Sequence, residues 1–128
     1  MPFTIRIEAE SGIAIATCSG TLTLPDAREG AEALWKTPGW MGRSAVWDFR
    51  SAEFDLSSGD IVEIAQFILN HQPTPPPAKI AFATGRSVDF GVSRMFEVYR
   101  RDPQTAFRVF REYDEAIRWA RSPDPDLA

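Results

Sequence analysis

The residues best suited to bind charge fall in three short segments, each following an apolar or β-branched run. The first is Asp48-Phe49-Arg50-Ser51 with Phe54-Asp55-Leu56-Ser57-Ser58-Gly59 just beyond it. The second is Thr84-Gly85-Arg86-Ser87, and the third is Ser19-Gly20-Thr21. Their shared chemistry is anion recognition. A helix that starts at Ser57, Ser58 or Ser87 leaves backbone N–H groups facing outward, and these favour a phosphate or carboxylate. Arg50 and Arg86 add planar donors that grip such a group in bidentate fashion. Asp48, at the end of its run, is either a general base or an acceptor for the following loop. The competing reading is structural: serine caps helices and glycine permits tight turns. No Gly-Lys-Ser/Thr closes a glycine-rich run, and Gly85 and Gly91 lack dinucleotide-binding spacing.

Other chemistry is sparse. The chain has one cysteine, Cys18, and one histidine, His71. No intramolecular disulfide can form, and no metal site can be built from several His or Cys ligands. Cys18 sits in a predicted strand and reads as a small buried hydrophobe. His71 follows a helical pattern, precedes prolines, and has no Ser or Asp partner visible nearby. The acids Glu112, Asp114 and Glu115 open the last helical pattern, where the helix dipole favours them. No catalytic group, metal or cofactor is assigned. Trp40-Met41 is the notable apolar pair: two large side chains between Gly39 and Gly42. Such a pair either caps the edge of the core or contacts a partner or lipid.

These segments are positioned by an alternation of strands and helices. Residues 3–8 alternate apolar and polar, and residues 13–18 continue as a second strand after Glu10-Ser11-Gly12, so the chain opens with a β-hairpin. Thr23-Leu24-Pro25-Asp26 starts a helix that Pro38-Gly39 stops. Residues 45–49 form a third strand. Ile61, Ile64, Ala65, Ile68 and Leu69 then draw one apolar stripe at helical spacing. Four prolines between residues 73 and 77 form a stiff connector. Residues 79–83 read as a buried strand. A third helix follows, with Phe90, Met95, Phe96 and Tyr99 as its packing residues. Residues 106–110 are a fifth strand, and a last helix buries Ala116, Ile117 and Ala120. The order β-β-α-β-α-β-α-β-α specifies an α/β fold with a small, mostly parallel sheet. In such a sheet, ligands bind beyond the carboxyl ends of the strands, where the segments named above fall.

Two stretches resemble a known family. Phe54-Asp55-Leu56-Ser57-Ser58-Gly59, after a strand ending Trp47-Asp48-Phe49, is similar to the strand-to-helix turn of anti-sigma-factor antagonists of the STAS class. Phe107-Arg108-Val109-Phe110, with Asp114, Ala116 and Trp119, resembles the ending of SpoIIAA-like proteins, as does Arg94-Met95-Phe96-Glu97. The resemblance implies a right-handed βα superhelix against a small mixed sheet. It also implies a serine, here Ser57, phosphorylated by a partner kinase. The match departs at one position: the family places Asp immediately before that serine, whereas this chain has Leu56 there and Asp55 one residue earlier. The group is related in fold to a lipid-binding module, so a small apolar ligand is the alternative to a protein partner.

The bulk properties agree with one domain over residues 1–121, with residues 122–128 as a flexible tail. The net charge of −4 argues against a general nucleic-acid binder, which needs a basic footprint. Residues 86–121 nonetheless hold eight arginines against six acidic residues, which reads as solvated helix surfaces, with a local basic face as the alternative. No run is apolar enough to cross a membrane and no signal-peptide pattern opens the chain, so the cytoplasm is the expected location. A non-enzymatic regulatory or interaction domain is the first expectation. A binding module for a lipid or other small apolar ligand is the second. Self-association through the hairpin edge or the Trp40 loop is a further expectation.

Overall fold

The computed structural model describes residues 3–40 and 42–123. The described residues form β1 (Phe3–Ile7), β2 (Ala14–Leu22), α1 (Leu24–Trp35), β3 (Ala45–Phe54), α2 (Ser58–His71), β4 (Lys79–Thr84), α3 (Ser87–Tyr99), β5 (Ala106–Phe110) and α4 (Tyr113–Arg121). This is the order expected from the alternation. The strands lie side by side as β1-β2-β3-β4-β5, with β1 antiparallel to β2 and every later pairing parallel.

That order decides where the helices go. Each parallel connection moves one strand along the sheet, so crossovers of one hand deliver α1, α2 and α3 to the same face. The last helix, α4, packs over β3, β4 and β5 from the other face. Strand alternation supplies both faces with apolar groups. Ala14, Ala16, Ala45, Trp47, Phe49 and Ile80 serve the face of the three crossover helices. Ile15, Val46, Ala81, Ala83 and Phe110 serve the α4 face, where they meet Ala116, Ile117 and Trp119. Burying a large apolar side chain contributes roughly 1.5–3 kcal/mol, so these two layers dominate the stability.

Local chemistry sets the helix ends. At α1 the Asp26 carboxylate accepts the Thr23 N–H at 3.1 Å, with Pro25 in the first turn. At α2 Ser57 and Asp60 exchange reciprocal bonds: the Asp60 N–H donates to Ser57 Oγ at 3.1 Å, and the Ser57 N–H donates to Asp60 Oδ2 at 3.0 Å. The end of α4 is held by the buried Lys79, whose Nζ donates to the carbonyls of Trp119 at 2.8 Å and Ser122 at 2.6 Å. A cation there also suits the negative end of the helix dipole.

Two strands run further than their sequence pattern suggests. After a register shift between Thr17 and Ser19, β2 and β3 keep pairing from Ser19 opposite Ser51 to Leu22 opposite Phe54. The run through Arg50, Ser51 and Glu53 is therefore strand, with Ala52 and Phe54 turned inward between the polar residues. In α3 the inward residues are Asp89, Ser93 and Phe96, while Tyr99 is exposed. Met41 and residues 124–128 lie outside the described residues, and with them half of the Trp40-Met41 pair and most of the expected tail.

Candidate functional site: an apolar cavity with one cationic end

The buried residues of the second helix, Ile61, Ile64 and Ala65, share a packed cluster with Phe82 of β4 and Phe107 of β5. The backbone neighbours of α2 are α1 and α3, so it bridges them and roofs the space above the sheet. The floor of that space is aromatic. Phe3 meets Trp47 edge-on at 5.7 Å, Phe49 meets Phe82 at 4.9 Å, and Phe82 meets Phe107 at 4.8 Å. Small side chains on β2 make this floor continuous: Ala16 and Cys18 sit opposite Trp47 and Phe3 in register, so a ring on β1 reaches a ring on β3 above them. Ile61, Ile64 and Ile68 of α2 close the space from above. The space measures about 780 Å³, its open mouth included. Its lining is almost wholly apolar.

One end of this apolar space is polar. Gln72, Ser93 and Arg100 line it alongside the aromatics. Arg100 is 3% exposed. Its Nη2 donates to Gln72 Oε1 at 3.3 Å, and Gln72 Nε2 donates to Asp102 Oδ2 at 2.9 Å. The guanidinium also lies 5.6 Å from the Phe107 ring centre. Arg100 Nη1 and Ser93 Oγ have no hydrogen-bond partner among the described residues. Burial holds the Arg100 guanidinium below the usual arginine range, with the Asp102 charge acting in the opposite direction. No ion pair among the described residues reaches Arg100 directly. A buried cation in this position is costly unless an anion or acceptor meets it.

The edge named from the sequence is differently arranged. Asp48 and Arg50 bind each other: Nε to Oδ1 and Nη2 to Oδ2, both at 2.9 Å. Burial pushes the Asp48 carboxyl up, but the hydrogen bonds from Arg50 outweigh it and hold the group below its ordinary range. Arg50 also stacks on Tyr113, 4.0 Å from the ring centre. Arg86 grips the fully buried Asp89 through Nε at 2.9 Å and Nη2 at 2.8 Å. Both arginines that were expected to offer donors to an anion are therefore engaged by carboxylates of the chain. Gly85 fits closely: a Cβ there would lie 2.7 Å from the Arg50 carbonyl oxygen. Thr84 is buried, with no partner for its Oγ1 among the described residues, and Ser87 Oγ accepts from Arg111 Nη2 at 3.2 Å.

Ser57, Ser58 and Gly59 are exposed at the start of α2. The Ser57 hydroxyl oxygen is engaged as the helix cap described above. Trp40 is 1% exposed, its Nε1 donating to the Ser44 carbonyl at 3.1 Å, and it lines the cavity.

The sequence pattern had not marked Gln72, Ser93 or Arg100. Their signal is the inward stripe of α3, since positions 89, 93, 96 and 100 recur at helical spacing. Among the described residues no three His, Cys, Asp or Glu side chains gather as metal ligands, and no helix is long and apolar enough to cross a membrane.

The sequence matches no protein-family model and no curated protein. The structure is similar to that of an uncharacterised DUF3478-family protein with a SpoIIAA-like fold from Shewanella loihica PV-4. The TM-score is 0.57 and the identity 18%, over 92% of this chain and 91% of that one. The fold expected from the resemblance is thus the fold observed: SpoIIAA-like, with the mixed sheet described above.

Proposed function

We propose that this domain binds an apolar ligand in the cavity between α2 and the aromatic face of the sheet. The observation that carries the reading is the cavity itself. Between α2 and a floor of Phe and Trp rings lies an apolar cavity where packed side chains are the rule. Ligand sites are concave and mostly apolar, with a few fixed polar groups, and this space has that composition.

The test is a chain-length series. Trp35, Trp40 and Trp47 line the cavity, so intrinsic fluorescence reports on occupancy. Titration with 1-hexanol, 1-octanol and 1-decanol is expected to give saturable changes. Each added methylene should tighten binding about fourfold, the equivalent of about 0.8 kcal/mol, until the cavity is filled. Fluorescence that never saturates for any of the three would remove the reading.

A regulatory domain that docks a protein partner is the second reading, and the exposure of Ser57, Ser58 and Gly59 favours it. A switch by phosphorylation of Ser57 fits less well. The phosphate would have to form on a hydroxyl that caps α2, beside the Asp60 carboxylate already bound to that turn. Like charges so placed repel.

A further inference from the structure

We propose that the ligand of this cavity is a carboxylate amphiphile of the fatty-acid type, whose head group is received by Arg100 at the buried end. The inference rests on the reading that the cavity binds an apolar chain, and it adds the chemistry of the head.

Three observations support it. First, a cation lies inside an otherwise apolar space, with Arg100 almost fully buried and lining the cavity. Second, the guanidinium is held by one side and open on the other. Gln72 takes Nη2 and is itself fixed by Asp102, while Nη1 has no partner among the described residues. An acceptor on Nη1 would convert a buried, half-bonded charge into a charge-assisted pair. Third, Ser93 lies two turns before Arg100 on the same stripe of α3, and its unpartnered hydroxyl lines the same space. The stripe thus reads hydroxyl, Phe96, guanidinium.

The head is further defined by charge. One positive group with Asp102 close behind it suits a monoanion better than a dianionic phosphate. Other arginines, Arg108, Arg111 and Arg118, border a groove on the opposite face against Phe110 and Trp119. They form a separate surface and provide the alternative against which the proposal is tested.

The experiment compares decanoate with 1-decanol by fluorescence titration at pH 8, where the acid is ionised. The wild-type chain is expected to bind decanoate about tenfold or more tightly than 1-decanol, the range of a hydrogen bond to a charged group. Arg100→Met should bind the two probes alike, losing the preference. Gln72→Glu should lose it too, because a carboxylate would then reach Arg100 from within the chain. Equal binding of the two probes by the wild type would overturn the carboxylate assignment and leave the apolar-chain reading standing. A preference that survives in both variants would also overturn it and would direct attention to the Arg108 groove. If neither probe binds, both readings fall. The wild-type comparison does not depend on either variant folding.

Discussion

Ser57 shows how one residue can satisfy two readings and how geometry separates them. A serine before an apolar helical stripe is either a modification site or a cap. Here its oxygen accepts the Asp60 N–H while Asp60 returns the bond, which is the reciprocal cap. Ser57→Ala is accordingly expected to destabilise the fold by about 1 kcal/mol in urea denaturation and to leave decanol binding unchanged. An unaltered unfolding midpoint would show that the cap contributes nothing. Arg100 is the opposite case. A polar residue at the end of an amphipathic helix reads as solvated surface, and nothing local marks it as buried. It becomes visible only when α2 brings Gln72 alongside and Phe107 of β5 closes the other side. Arg50 and Arg86 illustrate the same limit: their partners Asp48 and Asp89 are near in sequence, but only the strand and helix geometry aligns the two forks.

At the scale of elements, alternation and helical periodicity were enough to place all nine described strands and helices in order. Extent was harder to read. The stretch of β3 beyond Phe49 opens on polar Arg50 and Ser51, and only Ala52 and Phe54 alternate inward; its pairing with β2 makes it strand, a contact between distant parts of the chain. The cavity was not legible either, since a row of Phe, Trp and Ile side chains has the same pattern whether it packs tightly or leaves a cavity. One element-level contact has a pH consequence. Arg121 of α4 donates through Nε to Glu8 at the end of the hairpin's first strand at 2.8 Å, and Ser11 Oγ donates to the same carboxylate at 2.6 Å. The Arg121 bond, then the Ser11 bond, lower the Glu8 carboxyl from its ordinary 4.5 to about 2. The folded value is depressed, so the contribution is complete above about pH 4.5 and is lost as pH falls toward 2. The stability difference between wild type and Glu8→Gln should therefore shrink over that window, and a difference that is constant from pH 6 to pH 2 would contradict it. The effect is modest because Arg121 is half exposed.

At the scale of the molecule, the two faces of the sheet have different tasks. The α4 face is closed by small and branched residues, with Val46, Ala81 and Ala83 under Ala116, Ile117 and Trp119. The other face is built from rings too large to be covered completely by three helices, and α2 spans the gap. The SpoIIAA-like fold supplies this asymmetry through its strand order, because three crossovers must share one face. The particular content of the gap, apolar along its length and cationic at one end, belongs to the side chains of this sequence. The most direct measurement of the central claim is an isotope-filtered NOE experiment on the protein mixed with decanoate. Cross-peaks from the alkyl chain to the methyl groups of Ile61, Ile64 and Ile80 are predicted. Cross-peaks confined to the groove of Arg108, Phe110 and Trp119, or none at all, would contradict the account.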